Sequence, residues 1–268
     1  MQFRIISDLH VDINRDYVQF MNFDPNAFYL IAGDIAGGFD NVCDFVKENI
    51  KQGVFITGNH EGYDTDYDVI DQTKEYFQAR LSKEFPLNNQ VSFLENQYKE
   101  LDEDIVVVGC TLYTDFELFQ LVPFEESMNV AHYSMNDFRY VYTYDGLGDN
   151  RLVTPSDYRE RFFTSLNFIE DVCLKFPDKK IIVVSHHAPS MKSIVGKYVR
   201  DKLSAAYASN LDNFIEQHEN IKLWCHGHVH NTAQYKYRNR ARVICNPFGY
   251  YNETNQNLSR YLGVKYTL

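Results

Sequence analysis

Apolar residues fall along this chain in short, nearly continuous runs: FRIIS (3–7), FYLIAG (28–33), VFITG (54–58), VSFL (91–94), DIVVVGC (104–110), KIIVVS (180–185), IKLWC (221–225) and ARVICN (241–246). Runs of this length, without strict alternation, predict strands covered on both faces. Between them, apolar positions recur at helical spacing over roughly 40–51, 66–84, 156–176 and 208–218. The clearest case is TPSDYRERFFTSLNFIEDVCLKF (154–176), with a proline near its start and Pro177 just past its end. Strands alternating with helices predict an α/β sheet fold.

Two stretches break the pattern. Residues 112–155 are rich in Tyr, Phe and Asp, contain YDGLGDN, and show little periodicity. An ordered insertion of that length is usually a functional loop or lid. YKYRNRARV (235–243) alternates basic and other residues across an RN turn and predicts a β-hairpin with one basic face. The expected organisation is one domain over 1–268, with an aromatic-rich insertion or lid at about 112–155.

Composition narrows the function classes. Net charge is −11, which favours solubility and argues against a nucleic-acid backbone as the main partner. The five cysteines are widely spaced and form no CxxC pair, as expected for buried reduced thiols in a reducing compartment. The first strand begins near residue 3, so no secretory leader is expected, and no apolar run approaches the ~18 residues of a membrane span. The expectation is a cytoplasmic protein with no membrane partner.

The chemistry gathers where the strands stop. FRIIS is followed by Asp8 and His10; FYLIAG by Asp34; VFITG by Asn59, His60 and Glu61; KIIVVS by His186 and His187; IKLWC by His226, His228 and His230. Of nine histidines, only His132 and His218 lie outside these tracts, so their clustering is not incidental. In open α/β sheets, sites form outside the carboxyl ends of strands, where five such ends can converge. Oxygen and imidazole donors without a thiolate suit Mn, Fe, Zn or Ni rather than a sulfur-bound structural zinc. There are too many donors for one ion. Two ions sharing one carboxylate would use them all, and that arrangement can clamp both the attacking and the leaving oxygen of a phosphoryl displacement.

DxH (Asp8, His10), GD (Gly33, Asp34), GNHE (Gly58 to Glu61), SHH (Ser185 to His187) and GHxH (Gly227 to His230), in that order, resemble the full motif series of the calcineurin-like metallophosphoesterases. The resemblance implies a four-layer α/β/β/α sandwich with a dinuclear centre at the strand C-terminal ends. It implies that Asp8, His10 and His230 hold one ion, that Asn59, His186 and His228 hold the other, and that Asp34 bridges them, with Mn the favoured metal. Asp34 and His60 are then the catalytic residues, His60 as an acid beside the site rather than a ligand. In-line attack by a hydroxide bridging the ions is the implied reaction. One departure is visible: where the family often has GDxxD, the second acidic position here is Gly37, so a supporting carboxylate is missing from its usual place. His226 is expected to be structural.

The resemblance, to small members of the family in particular, implies a small phosphorylated substrate, a nucleotide or cyclic-nucleotide phosphodiester foremost. A nuclease, a protein phosphatase or a non-catalytic scaffold are the alternatives. His187, Arg139, His132 and Tyr113 are candidate substrate contacts, since a Tyr-rich loop with an arginine can stack a base and grip a phosphate. Asn246 and Tyr250 of CNPFGY are candidate rim residues.

Overall fold

The computed structural model describes residues 1–14, 21–63, 65, 90–144, 149–250 and 265–267. The helical pattern expected at 66–84 lies outside them.

Among the described residues there are two main sheets. The first comprises β1 (Gln2–Ile6), β2 (Phe28–Ala32), β3 (Gln52–Ile56) and β4 (Gln90–Phe93), all parallel, with the antiparallel edge strand β13 (Tyr266–Thr267) beside β1. The second has a parallel core of β6 (Ile105–Cys110), β9 (Lys180–Ser185), β10 (Ile221–His226) and β12 (Arg242–Cys245). It is flanked by the antiparallel strands β5 (Gln97–Glu100) and β11 (Ala233–Lys236).

The continuous apolar runs follow from strands packed on both faces. Successive side chains point opposite ways. Phe3, Ile5, Leu30, Ala32, Val54 and Ile56 meet Val107, Ile182, Val184, Leu223 and Ile244 between the sheets. On the outer face of the first sheet, Ile6, Ile31 and Phe55 pack against Val42 and Val46 of helix α1 (Phe39–Asn49). On the outer face of the second, Val106, Ile181, Val183 and Trp224 take Phe162, Ile169 and Val172 of helix α4 (Pro155–Lys175), and Ile215 of α5 (Asp212–Gln217). The result is the expected α/β/β/α order of layers.

Helix α4 starts where the sequence signals it. Thr154 caps it, Pro155 holds its first turn, and the Asp157 carboxylate accepts the Thr154 N–H (2.7 Å). The helix expected over 208–218 is shorter, six residues in α5, because Ala208 bridges Ala188 and the N–H groups of Ser209 and Leu211 bond to the Ala188 and Pro189 carbonyls instead. The insertion is also more regular than its sequence predicts. It carries α2 (Phe124–Ser134), α3 (Asp137–Tyr140) and a small hairpin of β7 (Tyr142–Tyr144) and β8 (Asn150–Leu152). The β11–β12 pair forms the expected hairpin, with Lys236, Arg238, Arg240 and Arg242 all exposed. All five cysteines are free and buried. No helix among the described residues is long and apolar enough to cross a membrane.

Candidate metal centre

The strand ends do converge. Ligand atoms of Asp8, His10, Asp34 and His230 lie within 4.8 Å of one another, and so do those of Asp34, His186 and His228. Asp34 belongs to both groups. Asn59 joins the second through Oδ1, 3.0 Å from His186 Nε2.

The backbone makes sharp turns to present these groups. Ten described non-glycine residues have positive φ, and five are Asp8, His10, Asp34, His228 and His230. Left-handed backbone costs a residue with a β-carbon on the order of 1–2 kcal/mol, so strain concentrates where side chains must be aimed. Gly58 is required for space: a Cβ there would lie 2.1 Å from Asp34 Oδ1 and 2.7 Å from His186 Cε1.

Hydrogen bonds then fix each group. The Ser7 hydroxyl and the His228 N–H donate to Asp8, and the His60 N–H donates to Asp34 Oδ1 (2.9 Å). His186 donates Nδ1–H to the Ala32 carbonyl (2.8 Å), which leaves Nε2 as the coordinating nitrogen. Glu61, fully buried, accepts the N–H groups of Asp34, Ile35 and Gly58 and so ties two of the site loops together. Burial and the Asp34 charge push it up to about 7.

The donors fit metal ions. Spacings are 3.2 Å between His10 and His230 Nε2, 3.3 Å between His186 Nε2 and Asp34 Oδ2, and 3.5 Å between His230 Nε2 and Asp8 Oδ1. Donors each about 2.1 Å from one ion, at octahedral to tetrahedral angles, lie about 3.0–3.4 Å apart. His228 Nε2 is buried without a hydrogen-bond partner, an unsatisfied lone pair that coordination would use. Burial holds His10 down to about 4 and His228 well below the usual imidazole range, so both are neutral at pH 7, the form in which an imidazole can bind a metal. Burial also opposes charge on His186, yet the Asp34 carboxylate outweighs it and lifts the group to about 9. In the metal-free chain a proton therefore sits among the donors of the second group.

His60 stands beside the first group, its ring 4.6 Å from that of His10, and donates Nε2–H to Asp12 Oδ2 (3.0 Å). Burial works against its charge, but Asp12 and Asp34 prevail and its pKa is raised. Asp12 is drawn in turn toward the backbone N–H of Gly37. A carboxylate from the β1 loop thus lies against the position where the sequence lacks its second acid. Its signal was an acid two residues after His10.

The cleft over the centre has a volume of about 490 Å³. Asp34, Asn59, His228 and His230 open onto it, and Tyr63, Asn136, Asp137, Ser193, Tyr198, Asp201, Ser204, Tyr207, Asn231 and Tyr250 form its walls. None of the four expected substrate contacts lines it. Arg139 donates Nη2–H to the Tyr133 carbonyl (2.7 Å) and so closes the C-terminus of α2. His132 is exposed on α2, against Tyr133 and Phe138. Tyr113 is buried against Tyr158, and fully buried His187 donates Nδ1–H to Thr111 and packs behind His228. Of the two rim candidates, Tyr250 lines the cleft and lies on His10, whereas Asn246 is buried and donates to the Ile5 carbonyl. His226 is structural, with Nδ1–H on Gly227 and the Ser193 hydroxyl on Nε2. The insertion reaches the cleft through 134–137 instead, and residues 193–207 supply the facing wall.

Comparison with known proteins agrees with this geometry. The family profile described as calcineurin-like phosphoesterase matches residues 1–232. Comparison with curated sequences gives no match. Among solved structures, phosphopantetheinyl hydrolase from Mycobacterium tuberculosis is similar at 17% identity and a TM-score of 0.68, over 94% of this chain and 90% of that one. A dimetal phosphatase from Danio rerio aligns over 91% of this chain and 86% of that one, at 11% identity and a TM-score of 0.48. With the profile covering most of its length and the layered fold in place, the chain belongs to the calcineurin-like phosphoesterases, enzymes with a dinuclear metal centre.

Proposed function

We propose that this enzyme hydrolyses a phosphoester of a small molecule, with a nucleotide or cyclic-nucleotide phosphodiester as its substrate class and Mn as its favoured metal. The observation that carries this reading is Asp34, whose carboxylate is common to two groups of converging donors on the floor of a cleft. When bound, two divalent ions supply a nucleophile from water at neutral pH and positive charge against the phosphoryl oxygens. Asp8, His10 and His230 are assigned to one ion, Asn59, His186 and His228 to the other, and Asp34 to both.

The chain's own groups do the rest. His60, whose raised pKa favours its protonated form, can pass a proton to a departing oxygen. Asp12 keeps its ring from turning. Tyr63, Tyr198, Tyr207 and Tyr250 offer flat faces on the cleft walls, and Ser193, Ser204, Asn136 and Asn231 offer hydroxyls and amides. These suit a base and a sugar. No Lys or Arg is present among the described lining residues, whereas Asp137 and Asp201 are acids. Such walls favour a ligand whose single phosphate rests at the metal centre over a polyphosphate or a nucleic-acid strand. Five buried free thiols support a cytoplasmic setting.

The test is a panel of cyclic nucleotides, nucleotide diesters, nucleoside mono- and triphosphates and simple phosphomonoesters, assayed with Mn²⁺. We expect kcat/KM to be highest on a nucleotide diester with one phosphate. Equal rates on a nucleotide and on the corresponding aryl ester would remove the nucleotide reading while leaving the phosphoesterase itself in place.

A further inference from the structure

The geometry points to Asp137, from the insertion, as a positioning residue that decides which end of the Asn59 amide faces the second metal site. This inference rests on the two-ion reading above. Asp137 is buried at the start of α3, and three donors converge on its carboxylate: Tyr63 Oη (2.8 Å), Tyr158 Oη (3.0 Å) and Asn59 Nδ2 (3.3 Å). Three donors on two oxygens make it an acceptor, the role a carboxylate fills, although burial raises its pKa against the hydrogen bonds from the two tyrosines.

The two ends of a side-chain amide have nearly the same shape, and only one of them can ligate a cation. The oxygen carries lone pairs, whereas the NH₂ presents hydrogens. Sterics alone therefore do not choose the orientation of Asn59. Asp137 chooses it, because an acceptor on one side of the amide draws the NH₂ there and turns Oδ1 toward His186 Nε2, 3.0 Å away, and the shared Asp34. Two tyrosines from separate parts of the chain fix Asp137 in turn. Tyr63 lies two residues past Glu61, and Tyr158 belongs to the first turns of α4. Phe138 packs on Tyr158 at 5.2 Å, so the insertion's own core holds the clamp. The insertion thereby becomes part of the metal centre.

The experiment is a calorimetric Mn²⁺ titration of chelator-stripped protein, with the EPR signal of the coupled ion pair as a second readout. Asp137→Asn keeps the shape and both tyrosines but removes the charge and leaves one acceptor oxygen where Asn59 and the two tyrosines had two. Loss of a ligand-orienting partner typically costs 10–100-fold in metal affinity, and we expect that loss in one of the two sites only. Asn59→Asp should also weaken the second site, although a carboxylate is the stronger ligand for a hard cation, because it faces Asp137. The double variant Asn59→Asp with Asp137→Asn should recover affinity, since an amide donor then supports a carboxylate whose two oxygens are equivalent. Two ions held by Asp137→Asn as tightly as by the parent would overturn the inference. So would an Asn59→Asp variant that binds them more tightly, a result that remains decisive if Asp137→Asn does not fold. A parent protein that binds fewer than two ions would instead overturn the two-ion reading on which the inference stands.

Discussion

The two halves of the metal centre are built by different means. Asp8, His10 and His230 are all aimed by left-handed backbone, and His230 keeps 18% of its side chain exposed toward the cleft. In the other half, Asn59 sits in ordinary right-handed backbone, and His186 has no exposed side chain at all. There two of the three donors are aimed by hydrogen bonds, His186 by the Ala32 carbonyl and Asn59 by Asp137, and only His228 shares the left-handed backbone of the first half. One half thus depends on strained loops at strand ends. The other depends, for His186 and Asn59, on partners brought in from distant parts of the chain, so the two halves should fail differently when perturbed.

The largest effect is expected where the halves join. Asp34→Asn removes the one charge common to both and should lower metal content from two ions per chain to one or none, with hydrolysis lost. Metal analysis by mass spectrometry checks this, and two ions retained at full affinity would show that the halves are independent. His60→Ala should keep both ions while slowing turnover by about 10²–10⁴-fold, the usual cost of a lost acid–base group. The loss should shrink on nitrophenyl esters, whose leaving oxygen needs little protonation. Metal loss in that variant would make His60 a ligand of the first half.

The halves also differ in how they compete with protons. In the metal-free chain His186 titrates at about 9 and His10 at about 4. Below pH 9 an ion entering the second half must displace a proton, whereas above pH 6 one entering the first half meets a neutral His10. Affinity at the second half should therefore rise about tenfold per pH unit from 7 toward 9 and then level off, with close to one proton released. The first half should be nearly flat over that range. Calorimetry in two buffers of different ionisation enthalpy counts the protons. Equal proton release at both steps would erase the distinction.

The same division governs what could be read from the chain. Asp8 and His10, Asn59 and His60, and His228 and His230 lie within two residues of each other directly after apolar runs, so short-range pattern exposes them. The layered sheets were legible for a similar reason, because each strand carries its own two-faced burial in its own residues. Asp137 was not legible: it lies 78 residues from Asn59, in a segment whose period is broken by tyrosines that only the folded structure explains. The cleft wall at 193–207 was missed because its 3₁₀ turns leave no periodic trace. Asp12 was within reach, two positions past His10 and able to answer for the acid missing at Gly37.

Arg139 tests the smallest difference. It lies two residues from Asp137, yet its guanidinium does not line the cleft and is held by the Tyr133 carbonyl and by Asn136 Oδ1 (3.4 Å). It therefore supports the end of α2 and does not reach a phosphate. Arg139→Ala should remove about 0.5–1.5 kcal/mol, the net worth of such a hydrogen bond, and the exposed setting places it at the low end of that range. Expected outcomes are a slightly lower Tm, unchanged metal content, and the same small change in kcat/KM on nucleotides and aryl esters alike. A selective rise in KM for a nucleotide would mean that the arginine swings toward the substrate on binding. The insertion would then act on the ligand as well as on the second half of the metal centre.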